Sequence, residues 1–210
     1  MFWNNVKIAL RNLRKNKGFA AINITGLAIG LTVYVFGGLI VEYERTHDQF
    51  YANADRIYTI GATAAPELNV GIENFNAVQS AVGPAIEADI SDVEAVARTI
   101  TSEYLINMGA DRFYQVIRFA DPALLEIFDF EYLYGDRSAL DDPSALLITE
   151  SAAIKYFGKA DAIGEVVTLD NEFDFYVSAV IADLPLNTHF NSSPVLDAAF
   201  EIVAPIQALT

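Results

Sequence analysis

Two histidines, His47 and His189, are the only imidazoles in 210 residues, and the chain has no cysteine. Acid–base chemistry or metal ligation would have to use them together with nearby carboxylates. His47 has such neighbours, since Glu44 and Asp48 flank it in EYERTHDQF. That spacing matches no ligand signature, and one imidazole among acidic residues reads as a solvated face. His189, in PLNTHFN, reads as a loop residue bonding to backbone. Carboxylate pairs such as Asp141 and Asp142 are expected by chance among 28 acidic residues, and nothing sets one pair apart as a cleft pair with shifted pKa. No G-x-x-x-x-G-K-S/T motif occurs; Gly158 and Lys159 follow a helix end and lack the motif's other glycine. The G-x-S-x-G elbow is missing as well. The chain therefore offers no catalytic residue, no metal site and no cofactor site, and is not expected to be an enzyme.

The distribution of charge says more. Lys7, Arg11, Arg14, Lys15 and Lys17 precede residue 42 with no acidic residue among them. The remaining 8 basic residues face all 28 acidic ones, within a chain of net charge −15. Asymmetry of this kind points to a membrane. Residues 19–41 contain no Asp, Glu, Lys, Arg or His. As a helix they would span roughly 34 Å, enough for a hydrocarbon core of about 30 Å. The run is too long for a signal peptide's apolar region, and it ends in LIVEY, a poor cleavage site, so it reads as an uncleaved anchor. The positive-inside rule keeps the basic N-terminus in the cytoplasm and sends the chain from about Glu42 onward to the far side.

Residues 3–15 have amphipathic spacing. Trp3, Val6, Leu10 and Leu13 recur every three or four positions, with Lys7, Arg11 and Arg14 one place further on. This predicts a short helix on the cytoplasmic membrane surface, its apolar stripe in the interface and its basic stems snorkelling. In the anchor, Gly26 and Gly30 form a small-residue pair that permits close approach of another helix, with Asn23 one turn earlier seeking a polar partner. The domain boundaries expected are thus 1–18 for the basic helix, 19–41 for the membrane helix and 42–210 for the exported domain.

That exported part reads as mixed α+β. RIYTIGATA, VEAVARTI and RFYQVIRF read as strands, and GPAIEADI as a short helix. ADPALLEIF reads as a helix capped by Asp121 with Pro122 in its first turn. SALLITESAAIKYFG reads as strand, Thr149 cap, helix and a closing Gly158. EVVTLDNEFDFYVSAVIADL reads as a hairpin turning near residues 170–172. The length past the anchor is enough to bury a core without disulfides. Its acidity excludes nucleic acid as a partner, since it would repel phosphates.

The order of the pieces resembles a known family. WNNVKIALRNLRKNKGFAAINITGLAIGL is followed by YERTHDQFYANADRIYTI, FADPALLEIFDFEYLYGD, LLITESAAIKYFG, DAIGEVVTLD and VIADLPLNTHF. Together they are similar to the N-terminal part of a MacB/FtsX-type ABC transporter permease, comprising the first membrane helix and the periplasmic core domain. The resemblance implies a periplasmic domain containing βαβ units, two paired permease chains (homo- or heterodimer) and a separate cytoplasmic ABC ATPase subunit. It implies work transmitted through the membrane to a periplasmic or outer-membrane partner, in export or release of a substrate. The surface helix carrying Trp3, Lys7, Arg11 and Arg14 would lie near the ATPase, and the implied location is the bacterial inner membrane. The family continues into further membrane helices, so the chain is expected to be a fragment, incomplete at its C-terminal end. The alternative is a single-pass anchored module that binds a periplasmic partner without transport.

Overall fold

The computed structural model describes residues 2–64, 74–75, 77–108, 111–191 and 200–209. The chain divides into two compact units, Met1–His47 and Asp48–Thr210. In the first, helix α1 (Phe2–Lys15) is followed by helix α2 (Lys17–Arg45). Asn16 separates them with φ −115° and ψ 55°, outside the helical well. The hydrogen-bond run still crosses it, from the Asn16 N–H to the Asn12 carbonyl at 3.0 Å and from the Ala20 N–H to the Asn16 carbonyl at 2.9 Å. No residue of α2 is buried. Thr32 spends its hydroxyl on the Ala28 carbonyl at 2.8 Å, the back-bond that lets a hydroxyl sit in an apolar helix.

The second unit is an α+β domain, as the alternation of its segments predicts. A small ribbon pairs β1 (Ala62–Thr63) with β2 (Asn74–Phe75), and helix α3 (Val82–Asp89) follows. Then come β3 (Thr99–Met108), β4 (Asp111–Ala120), the single-turn α4 (Leu124–Ile127) and β5 (Tyr132–Tyr134). The chain continues with β6 (Ala145–Thr149), α5 (Glu150–Phe157), β7 (Val166–Leu169), β8 (Phe173–Ile181) and β9 (Ile202–Pro205). The main sheet runs β5-β8-β6-β9-β4-β3-β7, and β7 also pairs with β8, so the ladder closes on itself. The β6–β8 and β4–β9 pairs are parallel and the others antiparallel. Strand β6 and helix α5 lead through β7 into the parallel β8, the crossover unit expected of this class.

Side chains alternate between two cores. Leu146 and Ile148 of β6 join Ile106, Phe119, Val177 and Ile202 on one face. Leu147, one residue away, joins Leu125, Leu140, Ile181 and Val203 on the other. Every residue of β6 is buried, which is why it reads as an unbroken apolar run and not as an alternating one. Ser178 is the extra residue where the β6–β8 register jumps, since Leu146 faces Val177 and Leu147 faces Ala179. Gly135 lies against this bulge with φ +77°.

Local signals are met in full between residues 145 and 158. Thr149 accepts a hydrogen bond from the Ala152 N–H, and Gly158 closes α5 at φ +71°. The hairpin turn is also where expected, with Asp170 and Asn171 both left-handed and the Glu172 N–H bonded to the Leu169 carbonyl at 3.0 Å. Three expectations need correction. Among the described residues RIYTIGATA forms a ladder only at Ala62 and Thr63, which pair with Phe75 and Asn74. VEAVARTI becomes strand only from Thr99. The helix over ADPALLEIF shrinks to Leu124–Ile127 and has Ala123, not Asp121, at its N-cap.

One interaction explains the last two corrections. Arg98 Nε and Nη2 each lie 2.8 Å from the Asp121 carboxylate, which also accepts from the Arg98 backbone N–H at 2.9 Å. The carboxylate that would cap the helix thus finishes the β3–β4 ladder, where Asp121 N–H returns a bond to the Arg98 carbonyl. Burial works to raise the Asp121 pKa, but the hydrogen bonds and charge of Arg98 outweigh it and hold it below its ordinary value. A carboxyl with a lowered folded pKa contributes stability above its unfolded value near 4 and loses it as pH falls further. The thermal midpoint of the domain should therefore drop below about pH 4, and Asp121→Asn should flatten that drop in a melting series against pH.

Candidate functional site

The basic helix and the apolar helix carry the residues selected from sequence. Trp3, Lys7, Arg11 and Arg14 all lie on α1 and are exposed, Trp3 at 75%. Leu10 and Leu13 are exposed beside it, while Val6 of the same stripe is half-buried. Arg14 and Lys15 occupy the last turn, where a cation complements the helix dipole. Asn23, Gly26 and Gly30 lie on α2, exposed, and a Cβ built on either glycine meets no atom within 4 Å. α2, at 29 residues, is long and apolar enough to cross a bilayer.

The second constellation lies in the sheet domain and was only partly legible in the sequence. Asp48 has a left-handed backbone, φ +56°, which Asp adopts more readily than most residues. Its N–H donates to the Asn187 carbonyl at 3.0 Å. Its carboxylate accepts from the Thr188 hydroxyl at 2.7 Å and the His189 N–H at 3.1 Å, with His189 Nδ1 at 3.0 Å. His189 is thus tied to a carboxylate 141 residues away, where sequence suggested a loop histidine bonding to backbone. Burial works to raise the Asp48 pKa, but the bonds from Thr188 and His189 and the His189 charge hold it below its ordinary value.

Tyr51 joins this group. Its hydroxyl lies 3.3 Å from Thr188 Oγ. The one Thr188 proton is engaged by Asp48, so Tyr51 is the donor. Burial, with the Asp48 charge beside it, pushes the Tyr51 phenol up to about 12, which keeps that proton in place. The ring of Tyr51 packs edge-on against Phe128 at 4.9 Å and Phe190 at 6.4 Å. Phe190, 1% exposed, also meets Phe128 at 4.7 Å and Phe200 at 4.9 Å. The Arg118 guanidinium lies 5.3 Å from the Phe190 ring centre and 5.7 Å from that of Phe200. Its Nη2 donates to the Phe190 carbonyl at 3.1 Å, and burial pushes its pKa down to about 10. Two faint signals precede this arrangement, the polar-then-aromatic runs THDQFY and NTHF, but nothing in one sequence links them.

These groups are suited to holding, not to reacting. Among the described residues no cluster of three or more His, Cys, Asp or Glu could ligate a metal. The carboxylate of Asp48 is held in position by donors from Thr188 and His189.

The sequence profile of the MacB-like periplasmic core domain matches residues 20–210. Among solved structures, a domain from Porphyromonas gingivalis described as belonging to a permease is 30% identical, with TM-score 0.50, over 64% of this chain and 55% of that one. The periplasmic region of MacB from Actinobacillus actinomycetemcomitans shares the fold at 12% identity and TM-score 0.51, over 75% of this chain and 70% of that one. The extracellular domain of the noncanonic ABC-type transporter YknZ from Gram-positive bacteria gives 14% identity and TM-score 0.47, over 63% of this chain and 64% of that one. The chain thus spans little more than half of the first of these structures. No curated protein sequence matches it. The chain belongs to the family of MacB-like periplasmic core domains.

Proposed function

We propose that the chain works as part of a permease of the mechanical-coupling type. A cytoplasmic ABC ATPase supplies the motion, a second permease chain pairs through α2, and the sheet domain acts in the periplasm to export or release a substrate. The N-terminus lies in the cytoplasm, with boundaries near residues 18 and 41 for the surface helix and the span. The observation that carries this reading is the order of parts: an acid-free basic helix, an apolar helix with no buried residue, and a MacB-like domain with no metal-binding cluster among its described residues.

Orientation and partnership can be tested directly because the chain has no cysteine of its own. In spheroplasts an impermeant maleimide should label Glu172→Cys and leave Asn4→Cys unlabelled. The intact complex should copurify with a P-loop ATPase. Reversed labelling would reject the orientation. Correct labelling with no ATPase bound would favour an anchored binding module.

Trp3 is the only tryptophan, so its fluorescence reports on α1 alone. In discs containing anionic lipid it should be quenched by brominated acyl chains, as an interfacial ring would be. The double change Arg11→Glu and Arg14→Glu should abolish most of that quenching while the sheet domain melts unchanged. On α2, Gly26→Leu with Gly30→Leu should leave insertion intact and reduce chain–chain crosslinking about fivefold, equivalent to ~1 kcal/mol of helix packing.

A further inference from the structure

Five cations of the sheet domain end on carboxylates: Arg56 on Glu94, Arg98 on Asp121, Arg137 on Asp129, Lys155 on Glu201 and Lys159 on Glu165. Arg112 is exposed, where water solvates it. Arg118 fits neither pattern. It is half-buried, yet among the described residues no carboxylate meets it, and its buried Nε has no hydrogen-bond partner. Burial is the whole cause of its lowered pKa, with no neighbouring charge acting on it. Taking a cation out of water without a counter-charge is costly. In a chain with 28 acidic residues, a carboxylate to offset that cost is not in short supply.

The side chain is nevertheless fixed in place. Its Nη2 donates to the Phe190 carbonyl, and the rings of Phe190 and Phe200 stand beside the guanidinium. On β3, Thr101 lies directly opposite Arg118, so the two side chains share one face of the sheet. Thr101 is also half-buried. The next pair on that face is Glu103 with Val116, and Glu103 is exposed.

We infer that Arg118 and Thr101 form a binding site for the carboxylate of a singly charged ligand with an apolar body. A guanidinium is a planar set of donors that matches a carboxylate. Because this one is already oriented, little freedom is lost when the anion arrives. The Thr101 hydroxyl can donate a further bond, and the Phe190 and Phe200 rings offer apolar surface to the ligand's body. One cation balances one negative charge, and the acidic surplus of the domain repels a phosphate dianion. The site belongs to the sheet domain alone and does not rest on the transport reading above.

The test uses benzoate as a free acid and acetyl-alanyl-phenylalanine as a peptide terminus, each with its neutral amide as control. Calorimetric titrations are made on the full chain in lipid discs and corrected against empty discs. At least one of the two acids should bind saturably while its amide does not. Binding of benzoate assigns the site to free acids, and binding of the peptide alone assigns it to chain termini. Arg118→Met should weaken the binding about tenfold or more, equivalent to one charge-assisted hydrogen bond. Thr101→Val should weaken it about threefold. If Arg118→Met fails to fold, Arg118→Lys takes its place: it keeps the charge, loses the planar donors and should weaken binding about fivefold. Absence of saturable binding by either acid overturns the inference, as does equal binding of acid and amide. Unchanged affinity in the Arg118 variant that folds overturns it as well.

Discussion

Phe190→Ala is expected to destabilise the sheet domain by about 4 kcal/mol, lowering its thermal midpoint by roughly 10 °C. The ring is 1% exposed and lies at the centre of Tyr51, Phe128, Phe130 and Phe200, so its removal leaves a cavity that stiff aromatic neighbours cannot fill. It also strips one of two rings from the half-buried Arg118 cation, whose Nε has no hydrogen-bond partner among the described residues. The Phe190 carbonyl that accepts from Arg118 belongs to the backbone and survives the change. Phe190→Leu keeps apolar volume but not the ring face, and should cost about half as much. Near-ultraviolet circular dichroism of the chain in micelles would read both variants, since the tyrosines report the packing of this core. Equal midpoints for the parent and the alanine variant would mean that the aromatic cluster is not the centre of the fold.

Gly135→Ala should cost at least about 3 kcal/mol, from two separable causes. The backbone stands at φ +77°, which by itself costs a non-glycine residue about 1 kcal/mol. The added Cβ would also fall 2.4 Å from the Ser178 carbonyl oxygen and 2.8 Å from Ala179 Cα, both backbone atoms of the β8 bulge. Gly158 isolates the first cause. Its φ is +71°, yet a Cβ there meets nothing within 4 Å, so Gly158→Ala should cost only about 1 kcal/mol. Chemical denaturation of the two variants side by side gives the difference. Equal losses would remove the steric account of Gly135 and leave only the backbone one.

What could be read in advance was local. Thr149 and Gly158 bracket α5 because caps act within a turn, and the left-handed Asp170 and Asn171 announce their own hairpin. The apolar run before Glu42 declares itself by composition. Partnerships between distant residues left no periodic trace. The β4–β9 and β6–β9 ladders bring Val203 beside Arg118 and Leu147, pairings set by the collapse of two cores and not by any motif. Asp121 misled for a related reason. An aspartate before proline is a good cap in isolation, but Arg98, 23 residues earlier, is the stronger partner once the hairpin forms. In the sequence Asp48 reads as a neighbour of a surface imidazole and His189 as a loop residue, and their pairing appears only when residues 48 and 187–190 meet.

The closed ladder has a bearing on how the domain would respond to load. Ile181, the last residue of β8, lies seven residues before Thr188, whose hydroxyl donates to Asp48. β8 is flanked by β6 along one side and by β7 and β5 along the other. Tension drawn along it is taken up as sliding between neighbours, with many hydrogen bonds sharing the strain at once instead of parting in turn. The ring of strands resists traction as one stiff body.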